Sequence, residues 1–192
     1  MDNREVNNAT NQCFIIDEKK GAYDLVRFYL DNEKKNIGWF APKGHDNQPL
    51  HYSFKERYET VKDEVLKEKG AVFSEYRIKK SAELHKLKDN LCINGKWPDV
   101  IICYDFHFYD ILFHLARHPK FNIPKETQFA YFCSEYNQRL YSSKFVTTID
   151  LPEYQVGIDG AKYLVNTLQK TKQNRIEPIP GVLNIKDEQP IT

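Results

Sequence analysis

The sequence predicts an α/β fold, a parallel sheet with helices on both faces. Three observations carry that prediction. Short apolar runs alternate with amphipathic helical stripes along the chain. One run, Val100-Ile101-Ile102-Cys103, is apolar without a break, as a central parallel strand covered on both faces must be. The length, 192 residues, suits one such domain or a cramped pair of small ones rather than two full lobes.

The elements follow in order. Residues 13–16 read as a buried strand. A helix begins near Gly21, with Ala22, Leu25, Val26, Tyr29 and Leu30 on one face at i, i+3, i+4, i+7, i+8 spacing. Residues 37–40 are the next strand, followed by a loop marked by Pro42, Gly44 and Pro49. A helix over residues 54–69 buries Phe54, Tyr58, Val61 and Val65, and Gly70 supplies its stop. A weaker strand covers 71–78, and a helix over 81–91 buries Leu84, Leu87 and Leu91. After the 100–103 strand, a helix over 106–117 carries Phe108, Ile111, Leu112 and Leu115. Turns at His118-Pro119 and Asn122-Ile123-Pro124 lead to a strand over 129–133. Residues 146–149 are extended. A helix over 153–168 carries Tyr154, Ile158, Ala161, Val165 and Leu168. A polar stretch then leads to a last strand at 182–185.

Composition narrows the function. A net charge of +1, with basic pairs dispersed among acids, argues against a dedicated nucleic-acid surface. No apolar run approaches the roughly 20 residues of a membrane helix. Residues 1–12 are polar, without a hydrophobic signal core, so a cytoplasmic protein is expected. Cys13, Cys92, Cys103 and Cys133 form no CxxC pair and read as buried free thiols, with no zinc site. No GxGxxG, P-loop or GxSxG motif is present, and no cofactor is implied.

In parallel sheets, ligands sit beyond the carboxyl ends of the strands. Residues 17–20, 41–57, 104–107 and 134–136 are therefore the ones to read for function. Asp105 could accept hydrogen bonds from a ligand hydroxyl, or cap the helix that follows. Arg57 could reach a polar ligand, or pair with Glu56 or another nearby acid. His107, Asp110 and His114 could present three metal ligands on one helix face, or simply a solvated polar face. Asp105 and His107 could serve as the acid–base pair of a small enzyme, although side chains two apart at a helix start need not converge. Ser134 follows a strand, but no glycines frame it as a nucleophile.

Six segments in this order resemble LacI/GalR-family, lactose-repressor-like regulators. Trp97-Pro98-Asp99-Val100-Ile101-Ile102-Cys103-Tyr104-Asp105 is similar to their P-D-A-I-hydrophobic-x-N-D segment. Asn122-Ile123-Pro124-Lys125-Glu126 resembles their hydrophobic-x-V-P-E-D turn, and residues 129–134 fall where they carry V-V-G-Y-D-D. Residues 145–149 resemble P-L-T-T-I, and residues 183–188 resemble the terminal L-V-V-R-E-S. Upstream, Ile16-Asp17-Glu18-Lys19-Lys20-Gly21-Ala22-Tyr23 resembles V-D-N-x-x-G-A-Y.

The resemblance implies a type I periplasmic-binding-protein-like sensor. Its two Rossmann-like lobes are joined by three crossings, and a sugar or sugar phosphate binds between them. A helix-turn-helix head binds operator DNA as a dimer. Carried over, residues 37–149 and 176–188 are the C-terminal lobe. Residues 13–36 and 150–175 are a remnant of the N-terminal lobe, and 1–12 and 189–192 are tails. No DNA-binding head is found, so operator binding by this chain alone is not expected. The implied ligand residues are Lys20, Arg57, Tyr104, Asp105, Cys133 and Ser134. Three depart from the family: Tyr104 replaces an Asn, and Cys133-Ser134 replaces an Asp pair, which favours a different ligand or none. The expected function is the non-enzymatic, effector-sensing and dimerising part of such a regulator. The alternatives are a stand-alone metabolite-binding module acting through a partner protein, or the small enzyme above. The strand at 13–16 is expected to expose a free edge that promotes association.

Overall fold

The computed structural model describes residues 15–43, 51–134, 146–169 and 177–185. Cys13, Phe14, Gly44, Pro49 and residues 135–136, 145 and 186–188, all used above, lie outside the described residues.

The chain runs β1 (Ile16–Asp17), α1 (Glu18–Asp31), β2 (Asn36–Pro42), α2 (Tyr52–Lys67) and β3 (Val72–Ile78). A 3-10 helix (Ser81–Lys86) and α3 (Leu87–Leu91) lead to β4 (Val100–Cys103) and α4 (Phe106–Ala116). Then come β5 (Gln128–Cys133), β6 (Thr147–Asp150), α5 (Glu153–Leu168), β7 (Ile179–Pro180) and β8 (Val182–Asn184).

Six strands form one sheet in the order β3-β2-β4-β5-β6-β8. All neighbours are parallel except β8, which runs antiparallel to β6. The uninterrupted apolar run is β4, between β2 and β5, and all four of its residues are buried.

Strand periodicity divides the core in two. Ile37, Trp39, Val100, Ile102, Ala130 and Phe132 point to one face, where α1 and α2 contribute Leu25, Val26, Val61 and Val65. Phe40, Ile101, Cys103, Phe129 and Tyr131 point to the other, where α3 and α4 contribute Leu87, Leu91 and Leu112. Asp99 fixes the start of β2 from a distance. Its carboxylate accepts the backbone N–H groups of Lys35 (3.0 Å) and Asn36 (2.9 Å).

Helix α1 packs on the six-stranded sheet: Ala22, Leu25, Val26 and Tyr29 are buried in the same cluster as Trp39 and Val100. The edge expected to be free at residues 13–16 is partly taken, because Ile16–Asp17 pairs in parallel with Ile179–Pro180. A smaller difference is that α1 starts at Glu18, three residues before the expected start near Gly21. The Asp17 carboxylate accepts the Lys20 N–H (2.9 Å) and caps the helix there.

Two glycines let segments cross closely over β6. A Cβ on Gly21 would lie 3.0 Å from the Ile149 Cγ2, and one on Gly181 only 2.5 Å from the same atom. Helix α5 differs from the rest, since none of its residues is buried. Among the described residues Cys92, Cys103 and Cys133 are free thiols, and the last two are buried.

Candidate ligand-binding site

Strand order reverses between β2 and β4. From β2 the chain passes through α2 to β3 on one side, then returns to β4 on the other. Beyond the carboxyl ends of these two strands a crevice is expected, and here the structure gathers a polar cluster.

Tyr104 directly follows β4 and is tied to β2, its N–H donating to the Phe40 carbonyl (2.9 Å). Arg57 arrives from the second turn of α2. Its Nε donates to the Glu18 carboxylate at 2.6 Å, and both side chains are about 95% buried. Its Nη1 donates to the Tyr104 carbonyl (3.1 Å). The guanidinium lies over the Phe132 ring (4.4 Å) and the Tyr104 ring (5.1 Å), a contact that desolvated arginine favours. The Tyr104 hydroxyl meets the Ser53 Oγ (2.9 Å), which meets the His51 Nδ1 (2.7 Å). His51 caps α2, with Nδ1 accepting the Ser53 N–H (3.3 Å).

The surroundings disfavour charge. Burial, more than the neighbouring Glu18, pushes the Tyr52 phenol above its ordinary value. Burial likewise raises the Glu56 carboxyl, against the pull of Lys19. Burial holds the Cys103 thiol well above the usual range, so it stays protonated and is no nucleophile. Burial, then Cys133, raises the Tyr131 phenol.

Of the residues read from sequence, Arg57 and Tyr104 come together here. Cys133, buried, and Ser134, half-buried, end β5, with the Cys133 Sγ 3.4 Å from the Ser134 carbonyl. Asp105 is the N-cap of α4, accepting the Phe108 N–H at 3.2 Å. Lys20 is exposed and pairs with Asp24 on its own helix instead of joining the cluster. His107 is exposed, against the Phe108 ring. His114 lies 3.6 Å from Asp110 on an exposed face. Among the described residues no group of three or more His, Cys, Asp or Glu is placed to hold a metal ion.

Sequence reading missed Glu18, Ser53 and His51. Glu18 carries only a weak signal, an acid directly after a strand end, which any first-turn helix acid shares. His51 and Ser53 carry no such mark, because their pairing depends on where the long loop returns.

Hydrogen-bonding groups framed by rings thus gather at the strand-order reversal of an α/β domain. No family model matches the sequence, and no curated protein matches it. The structure is similar to a LacI family transcription regulator from Clostridium acetobutylicum (TM-score 0.70, 12% identity, covering 90% of this chain and 64% of that one). It is also similar to the Escherichia coli transcriptional repressor ascG (TM-score 0.69, 12% identity, 92% and 63%). A third is a LacI family transcriptional regulator from Enterococcus faecium with bound ribose (TM-score 0.67, 15% identity, 95% and 68%). The chain thus has the fold of LacI-family transcription regulators, and spans about 64% of the length of the first of these. No described helix is long and apolar enough to cross a membrane.

Proposed function

We propose that this chain is the effector-sensing part of a LacI/GalR-type transcription regulator. It works in the cytoplasm, without catalytic activity, and contacts operator DNA only through a helix-turn-helix head that the resemblance does not place in these residues. One observation carries the reading: the Glu18–Arg57–Tyr104–Ser53 cluster lies where the strand order reverses. The shared fold supports it. The enzymatic alternative has less support, since Asp105 is engaged as a helix cap and His107 faces solvent.

The effector is a sugar or sugar phosphate, held by the Arg57–Tyr104 cluster, with Asp105, Cys133 and Ser134 at its border. Lys20 lies outside it. Thermal melting against a panel that includes ribose and phosphorylated sugars tests this. A bound sugar at about 100 times its Kd adds about 2.7 kcal/mol, and Tyr104→Phe should weaken that gain. A panel without any shift would count against sugar sensing and favour a module that works through a partner protein.

The sensor associates with a second copy through α5. Tyr154, Ala161 and Leu168 recur every seven residues, with Gly157, Ile158, Leu164 and Val165 between them, which is the spacing of a helix-pairing seam. This stripe faces water: Tyr154 is 66% exposed and Leu168 83%. Of the positions flanking it, only Glu153 and Lys162 are charged, with opposite signs. A lone helix of this length is marginal in water. Gel filtration should give a dimer that Leu164→Glu dissociates, and a monomer at every concentration would defeat the idea.

A further inference from the structure

At the opposite pole of the sheet, a cavity of about 450 Å³ lies between the end of α4 and the segment entering β5. Ile123 and Phe129, both over 90% buried, supply an apolar lining. Arg117, His118 and Lys125, all exposed, line it as well.

The charge here is one-sided. Residues 117–125 hold Arg117, Lys120 and Lys125 and no carboxylate, in a chain whose net charge is only +1. Among the described residues, none of these three cations pairs with an acid. Arg117 is partly ordered, its guanidinium stacked over the Phe113 ring at 4.1 Å. The His118 Nδ1 accepts the Lys120 N–H (3.3 Å), which leaves the proton of the neutral ring on Nε2, as a further donor. The dipole of α4 explains a cation at its carboxyl end, and Arg117 is its C-cap. It explains neither Lys125, eight residues on, nor the hollow beside both.

We infer that this cavity is a binding site for a small organic anion, a carboxylate or phosphate monoester carried on an apolar body. The fork of Arg117 suits a planar or tetrahedral anion, Lys125 adds a point charge, and His118 adds a donor. Ile123 and Phe129 take the carbon part. Strand β5 begins at this pole and ends beside the Arg57 cluster, and its six residues put the two sites about 17 Å apart. The site therefore stands or falls independently of the effector reading.

Amide chemical shifts of the full chain, titrated with phenyl phosphate, benzoate and phenol, provide the test. Saturable shifts at Arg117, Ile123 and Lys125 are expected from at least one anion. They should weaken about tenfold in the R117Q/K125Q variant and on raising the salt concentration. Response to phenyl phosphate alone assigns the site to phosphate esters, and response to benzoate alone to carboxylates. Equal shifts with phenol, no saturation by either anion at millimolar concentration, or indifference to R117Q/K125Q would each overturn the proposal. Both substituted side chains are exposed, so matching melting curves for the variant verify that folding is unchanged.

Discussion

Glu18→Ala should destabilise the folded chain by about 3–5 kcal/mol. The magnitude comes from burial. Glu18 and Arg57 are both about 95% out of solvent, so removing the carboxylate strands a guanidinium that cannot neutralise itself. Its other recorded acceptor, the Tyr104 carbonyl, carries no charge. Glu18→Gln should cost less, because an acceptor oxygen remains. Replacing both members with apolar residues of similar volume, Glu18→Met with Arg57→Leu, should cost far less than the two single changes together. Urea denaturation of the four proteins closes the cycle. A Glu18→Ala loss under about 1 kcal/mol, the range of exposed pairs, would mean that water reaches the pair.

The second large effect lies beneath the site. Trp39→Ala should cost about 3–5 kcal/mol, as large-to-small changes of buried rings do. Trp39 is fully buried on β2, and its ring meets Phe54 (6.1 Å) and Tyr58 (6.0 Å) edge-on. Both partners belong to α2, one turn of which also carries Arg57. The change should therefore loosen the Arg57–Glu18 contact as well as the core. Trp39→Phe should cost less, because the indole Nε1 is buried without a partner and its removal relieves that deficit. The urea midpoint should fall with an unchanged slope. A midpoint within error of the parent would show that α2 does not depend on this ring.

The fold was legible in the sequence wherever burial is two-sided or periodic. The run at Val100–Cys103 marks the central strand, and the stripes at Leu25–Leu30 and Val61–Val65 mark two helices with one buried side each. What could not be read is which body a helix joins. The stripe of α1 is the same whether it covers this sheet or another, and the long-range packing of Leu25 and Val26 decides. Helix α5 shows the converse. Its stripe is as regular as the others, yet none of its residues is buried, because periodicity records a need for cover and not its supply. At the site, Tyr104 was found because it directly follows a strand end, and Arg57 because it lies in the segment after β2, near the start of a helix. Glu18 was hidden because an acid in the first turn of a helix is usually an exposed partner of the dipole. Asp105 did what its position after a strand allows most simply, and capped the next helix.

The pairing of β1 with β7 has a mechanical meaning. These strands lie near opposite ends of the chain and run parallel, so tension on the amino end drags one along the other. Their hydrogen bonds are then loaded in shear, all at once, rather than peeled in sequence. Only two residue pairs share that load, whereas β2 and β3 are joined by seven. A pull at the amino end should therefore slip this short clasp at low force while the six-stranded sheet, and α1 packed on it, still hold. Among the described strand pairs, this two-residue clasp is the shortest.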